Sequence, residues 1–137
     1  VDESVVPDEP SSVLLCRYFG LNAGDVLDNP IAANVPAGDP ANRSWSRSGE
    51  LAFARELGTA ERVALVDALR GPGIGGTQGG VSNCPAATGA LAVVILRYDN
   101  AAPVAVSIEL DGCRSVSNGS FHLRSAMAGD AAASLGP

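Results

Sequence analysis

The sequence predicts an α+β domain: an antiparallel sheet of about 4–5 strands, one main helix packed on one face, and a possible C-terminal helix. Three observations point there. Residues 91–98 (LAVVILRY) and 104–110 (VAVSIEL) are runs of strand formers separated by Asp99, Asn100 and Pro103, the makings of an antiparallel hairpin. A segment after Gly58 carries helical periodicity with its own start and stop signals. The 137-residue chain is 46% apolar and 18% charged, which supplies one core and is too little charge for disorder throughout.

Residues 13–19 (VLLCRYF) form the first strand. Over 20–48 periodicity disappears, and Asn29-Pro30, Val35-Pro36 and Gly38-Asp39-Pro40 break any regular element, so a long irregular loop is expected. In 50–57, Leu51, Phe53, Arg55 and Leu57 alternate onto one face of a second strand. Gly58 ends it. Thr59 can cap the helix that follows, Glu61 suits its first turn, and Leu65, Val66 and Leu69 make its apolar stripe. Arg70 and Gly71-Pro72 terminate it. A glycine-rich loop runs over 71–89. Beyond the hairpin, Asp111-Gly112 marks a bend and 113–117 continues as a short strand. Asn118-Gly119 signals a two-residue turn, and 120–123 returns from it. Residues 125–135 have helix formers but little apolar moment. Val93, Ile95, Val104, Val106, Ile108, Leu65 and Leu69 are the expected core. Residues 1–12, acidic and holding Pro7 and Pro10, read as a flexible linker before a single domain over 13–137.

All nine basic residues are arginine; against 15 acidic ones they leave a net charge of −6 and a pI near 4.5. That balance argues against nucleic acid, which needs a clustered positive field. The lack of lysine removes Schiff-base chemistry, a P-loop phosphate lysine and a Ser–Lys dyad. No apolar run reaches the roughly 18 residues of a transmembrane segment. The start at Val1, without methionine, fits removal of a signal or an N-terminal membrane tether outside this sequence.

Three cysteines allow one disulfide, and none has the spacing of a metal site. Pairing Tyr98 with Pro103 sets Leu91 opposite Leu110 and Thr88 opposite Cys113, which brings Cys84 within reach of Cys113. Cys84–Cys113 is therefore the expected disulfide, with Cys16 a buried thiol and Cys16–Cys113 the rival pairing. Gly71-Pro72-Gly73-Ile74-Gly75-Gly76 matches G-x-G-x-x-G, but it follows a helix instead of opening one, so it reads as loop. His122 is the lone histidine, which excludes multi-histidine metal sites. It could activate Cys16 or Cys84, although a surface histidine on a strand is the commoner meaning. Asp25, Asp28 and Asp39 lack the spacing of a calcium loop and read as solvated, with a calcium or saccharide role as the rival.

Arg43, Trp45 and Arg47 are the candidate binding residues. Tryptophan and arginine dominate binding hot spots, and here they alternate in a segment without periodicity. The competing role for Trp45 is to fold back over the core. No catalytic residue, metal ligand or cofactor site is identified.

The order Cys16-Arg17-Tyr18, the strand-helix of 50–70, Cys84-Pro85, Arg97-Tyr98-Asp99, and Asp111-Gly112-Cys113-Arg114 before Asn118-Gly119 resembles a group of small exported domains. These are envelope or lipoprotein-type modules of high-GC Gram-positive bacteria; the likeness runs over about 13–123 and omits 20–48. Lysine avoidance with heavy Ala, Gly, Arg and Val use fits such a genome. The resemblance implies export, an extracellular or cell-envelope location and an α+β fold, and it carries no site residue. Two functions are then expected. The first is a non-catalytic exported or cell-envelope domain that binds an unidentified partner or ligand. The second is a small thiol-dependent or other hydrolase built on Cys16, Cys84 or His122, with a protease-inhibitor-like module as a further option.

Overall fold

The computed structural model describes residues 5–20, 50–71, 74–75 and 89–137. Its elements are β1 (Ser12–Tyr18), β2 (Leu51–Glu56), α1 (Thr59–Arg70), β3 (Ile74–Gly75), β4 (Leu91–Arg97), β5 (Val104–Glu109), β6 (Ser115–Ser117), β7 (His122–Arg124) and α2 (Ala126–Ala133). The strands form one sheet in the order β2-β1-β4-β5-β6-β7-β3, and every pairing is antiparallel. The α+β class and the C-terminal helix are as the sequence predicts. The sheet has seven strands where about 4–5 are expected; the shortest, the two-residue β3, lies in what reads as a glycine-rich loop and pairs with β7.

Helix α1 starts at Gly58 instead of on a Thr59 cap. Glu61 Oε1 accepts the Gly58 N–H at 3.1 Å, satisfying a donor that the first turn cannot. The Gly71 N–H closes the other end on the Ala68 carbonyl. Ser125 caps α2, its Oγ accepting the Ala128 N–H at 3.0 Å. Gly129 lets α2 approach the sheet closely: a Cβ there would sit 3.1 Å from the Arg114 side chain and 3.2 Å from the Glu109 carbonyl oxygen. Arg114 itself takes φ 54° at the bend between β5 and β6, and ion-pairs with Asp130 of α2.

Both helices cover one face of the sheet. Val13 and Leu15 of β1, Ala92, Val94 and Leu96 of β4, Val106 and Ile108 of β5 and Val116 of β6 pack there with Leu65, Val66, Leu69, Ala128 and Ala132. The expected core residues Leu65, Leu69, Val106 and Ile108 are in it, and Val104 packs against it. Val93 and Ile95 are not: they alternate with the buried residues of β4 and lie on the opposite face. The cause is a one-residue register difference. Leu91 pairs with Glu109, whereas the turn argument set it opposite Leu110, and a one-residue shift moves every side chain of a strand to the other face.

Smaller departures have equally local causes. A bulge between Arg17 and Tyr18 pairs Tyr18 with Leu51, so Leu51 leaves the face of Phe53 and Arg55 and is 51% exposed. The β6–β7 turn spans four residues instead of two, because Asn118 Oδ1 accepts both the Ser120 and Phe121 N–H groups.

The linker expected over 1–12 is docked from Val5 onward. Val5 and Val6 are each 1% exposed within the core, and the Ser11 N–H donates to the Arg97 carbonyl at 2.8 Å. Arg62 donates to the Ser11 carbonyl, and Arg70 pairs with Glu9 at 2.8 Å. The two valines offset the ordering of a proline-bearing acidic segment, which composition alone conceals.

One titration follows directly. Arg55 binds Glu61 through both carboxylate oxygens, at 2.9 and 2.7 Å. These bonds, with that from the Gly58 N–H, hold the Glu61 carboxyl at about 2 against an ordinary 4.5. A depressed folded pKa stabilises the fold above the unfolded value and loses that contribution as pH falls towards the folded one. Thermal melts from pH 5 down to 2 should therefore show wild type losing more stability than Glu61→Gln; parallel curves would contradict the pairing.

Candidate functional site

The face opposite the helices carries no other element among the described residues, and its chemistry divides in two. On β1 and β4 it presents Leu14, Cys16, Tyr18, Leu91, Val93 and Ile95, all half-buried. On β5, β6 and β7 it presents Ser107, Glu109, Ser115, Ser117, His122 and Arg124. The division follows from the strand sequences. LAVVILR has apolar residues at both parities, whereas VAVSIE places apolar residues inward and Ala105, Ser107 and Glu109 outward.

Register fixes which side chains are neighbours. One row runs Ala54–Cys16–Val93–Ser107–Ser117–His122 across six strands. The next runs Tyr18–Leu91–Glu109, and Glu109 Oε2 accepts the Ser115 N–H at 3.0 Å, with Arg124 paired beyond Ser115. Ser107 Oγ donates to the Ser117 carbonyl at 3.4 Å, and Ser117 Oγ accepts the Gly119 N–H at 3.0 Å. Cross-strand neighbours are within side-chain reach; residues several strands apart are not.

This geometry bears on the candidate thiol chemistry. Cys16 and His122 share a row but stand four strand spacings apart, about 19 Å at about 4.8 Å per strand. They cannot form a nucleophile–base pair, which needs hydrogen-bond reach. Cys16 is a free, half-buried thiol, not the fully buried one expected. Cys113 sits in the bend between Gly112 and Arg114, and it is engaged. Cys84 lies outside the described residues, as do Arg43, Trp45, Arg47 and the aspartates Asp25, Asp28 and Asp39.

A concavity of about 310 Å³ lies where the N-terminal segment meets the β4–β5 turn, lined by Asp8, Glu9, Tyr98, Asp99, Asn100 and Ala101. Burial pushes the Tyr98 phenol up. Glu9 is tied to Arg70, and no group of three ligating side chains converges among the described residues. The pocket therefore lacks the donor set of a cation site.

The sequence alone identifies none of the sheet-face residues as a site except His122 and Cys16. The signal that could have found the rest is the outward parity of VAVSIE. Comparison with protein-family models, curated proteins and solved structures returned no match. No described helix is long and apolar enough to cross a membrane.

Proposed function

We propose that the chain is a non-catalytic, exported binding module whose open sheet face receives a protein of the cell envelope. One observation carries this reading: half-buried Leu14, Tyr18, Leu91, Val93 and Ile95 adjoin a polar half built from Ser107, Ser117, Glu109, His122 and Arg124. An apolar patch bordered by polar groups that can hydrogen-bond is the anatomy of a protein-binding surface. Arg43, Trp45 and Arg47 stay candidate contact residues on the sequence reasoning alone. The separation of Cys16 from His122 favours this reading over a thiol hydrolase built on that pair.

Export implies a formed staple. With Cys16 free, Cys84–Cys113 is the pairing left to a chain with three cysteines. It closes a loop of about thirty residues and contributes about 3 kcal/mol in the chain-entropy model. Non-reducing peptide mapping should recover a Cys84–Cys113 peptide and alkylate Cys16 alone; recovering Cys16 in a disulfide would reject the pairing.

The binding surface is tested with envelopes isolated from a high-GC Gram-positive bacterium. Wild type should be retained by them, Val93→Glu should be lost to the wash, and Val63→Glu, at an exposed position on α1, should behave as wild type. Equal retention of both variants would reject the sheet face as the surface, and no retention of wild type would reject the envelope partner.

A further inference from the structure

On the helix side, two arginines hold the chain's own tail. Arg55 Nε of β2 donates to the Gly136 carbonyl at 2.6 Å, and Arg17 of β1 donates through one terminal nitrogen to the Leu135 carbonyl at 3.4 Å. Two guanidinium groups on adjacent strands thus read consecutive peptide carbonyls. Neither bond depends on the identity of the tail side chains. Arg17 is 7% exposed and lies over the Phe53 ring, 5.9 Å from its centroid, while Arg55 is fixed by its two bonds to Glu61. The donors are held in place before any ligand arrives, which lowers the cost of binding.

Beside the tail, between α1 and α2, a groove of about 290 Å³ is lined by Ala60, Ala64, Leu65, Ala131 and Leu135 together with Glu61 and Ser134. Alanines on both helices keep it open. Leu135 forms one wall of this space, and the tail is lightly held: Leu135 is only half-buried, and Gly136 and Pro137 are exposed.

We infer that this corner is a docking site for an extended peptide segment of a partner protein, with a small or leucine side chain for the groove, and that residues 134–137 occupy it in cis. Both acceptors in the tail are neutral peptide carbonyls, and Glu61 already holds Arg55 through two bonds, so the two arginines read a peptide backbone. The groove's lining is mostly alanine and leucine, which suits an apolar side chain. The site lies across the sheet from the proposed envelope-binding face, and its failure would leave that reading intact.

The test uses a fluorescein-labelled, amidated peptide of residues 131–137, AAASLGP, and the full chain. Cis occupancy competes through a high local concentration. Leu135→Asp, which undocks the tail, should bind the peptide at least about tenfold more tightly than wild type does, a difference of about 1.4 kcal/mol. Adding Arg55→Gln should abolish the gain, and a free-acid peptide should bind no better than the amide. Equal binding by wild type and Leu135→Asp, retention of the gain with Arg55→Gln, or a requirement for the free acid would each overturn the inference. Leu135→Ser replaces Leu135→Asp if the latter does not melt cooperatively. On unmodified protein, excess peptide should raise deuterium uptake at the Leu135 N–H, which bonds the Ala132 carbonyl; unchanged uptake would equally overturn the proposal.

Discussion

Truncating Leu69 to alanine should lower the unfolding free energy by about 2–5 kcal/mol, the range for deleting a large buried aliphatic side chain and leaving a cavity. Leu69 is 2% exposed on α1 and belongs to the cluster that joins the helix to β1, β4 and β5. Its loss therefore acts on the layer interface and not on the helix alone. Leu96→Ala, at a position with no exposed surface on β4, should fall in the same range. Urea unfolding measures both; a loss below about 0.5 kcal/mol for either, the size of a surface substitution, would mean that the residue does not fill the core.

Removal of residues 1–11 should cost nearly as much. Val5 and Val6 are each 1% exposed, and burying such a side chain is worth about 1.5–3 kcal/mol against a fully extended reference. Pro10 is buried too, and Arg62 and Arg70 lose their partners at Ser11 and Glu9. The exposed ion pair adds little. The valines decide the effect. A shortened chain with an unchanged melting temperature would restore the reading of this segment as a linker.

How much was legible in the sequence depends on what each segment offered to read. VAVSIE alternates, so Val106 and Ile108 were placed correctly from parity alone. LAVVILR does not alternate, so its inward face depended on the turn, and a one-residue error there exchanged Ala92, Val94 and Leu96 for Val93 and Ile95. Helix α1 announced itself by its stripe and its stop signal, whereas its capping by Glu61 depends on a backbone N–H that no side-chain pattern reveals. The candidate site was less visible. A sheet face is assembled from residues far apart in the chain: His122 meets Ser117 across a turn, but it lines up with Cys16 only through three intervening strands. The tail site was hidden for a related reason, since Arg17 and Arg55 act on backbone carbonyls at the far end of the sequence.

The proposed function depends on which face of β4 the helices cover. Thermal unfolding of Val93→Glu and Val94→Glu, measured side by side, tests that most directly. Val94 has no exposed surface and packs among aliphatic side chains of the core, so its glutamate should abolish the cooperative transition. Val93 faces away from the helices, so its glutamate should leave the transition cooperative with a modestly lower midpoint. The reverse result, an intact Val94→Glu and an unfolded Val93→Glu, would contradict both the register of the sheet and the open face built on it.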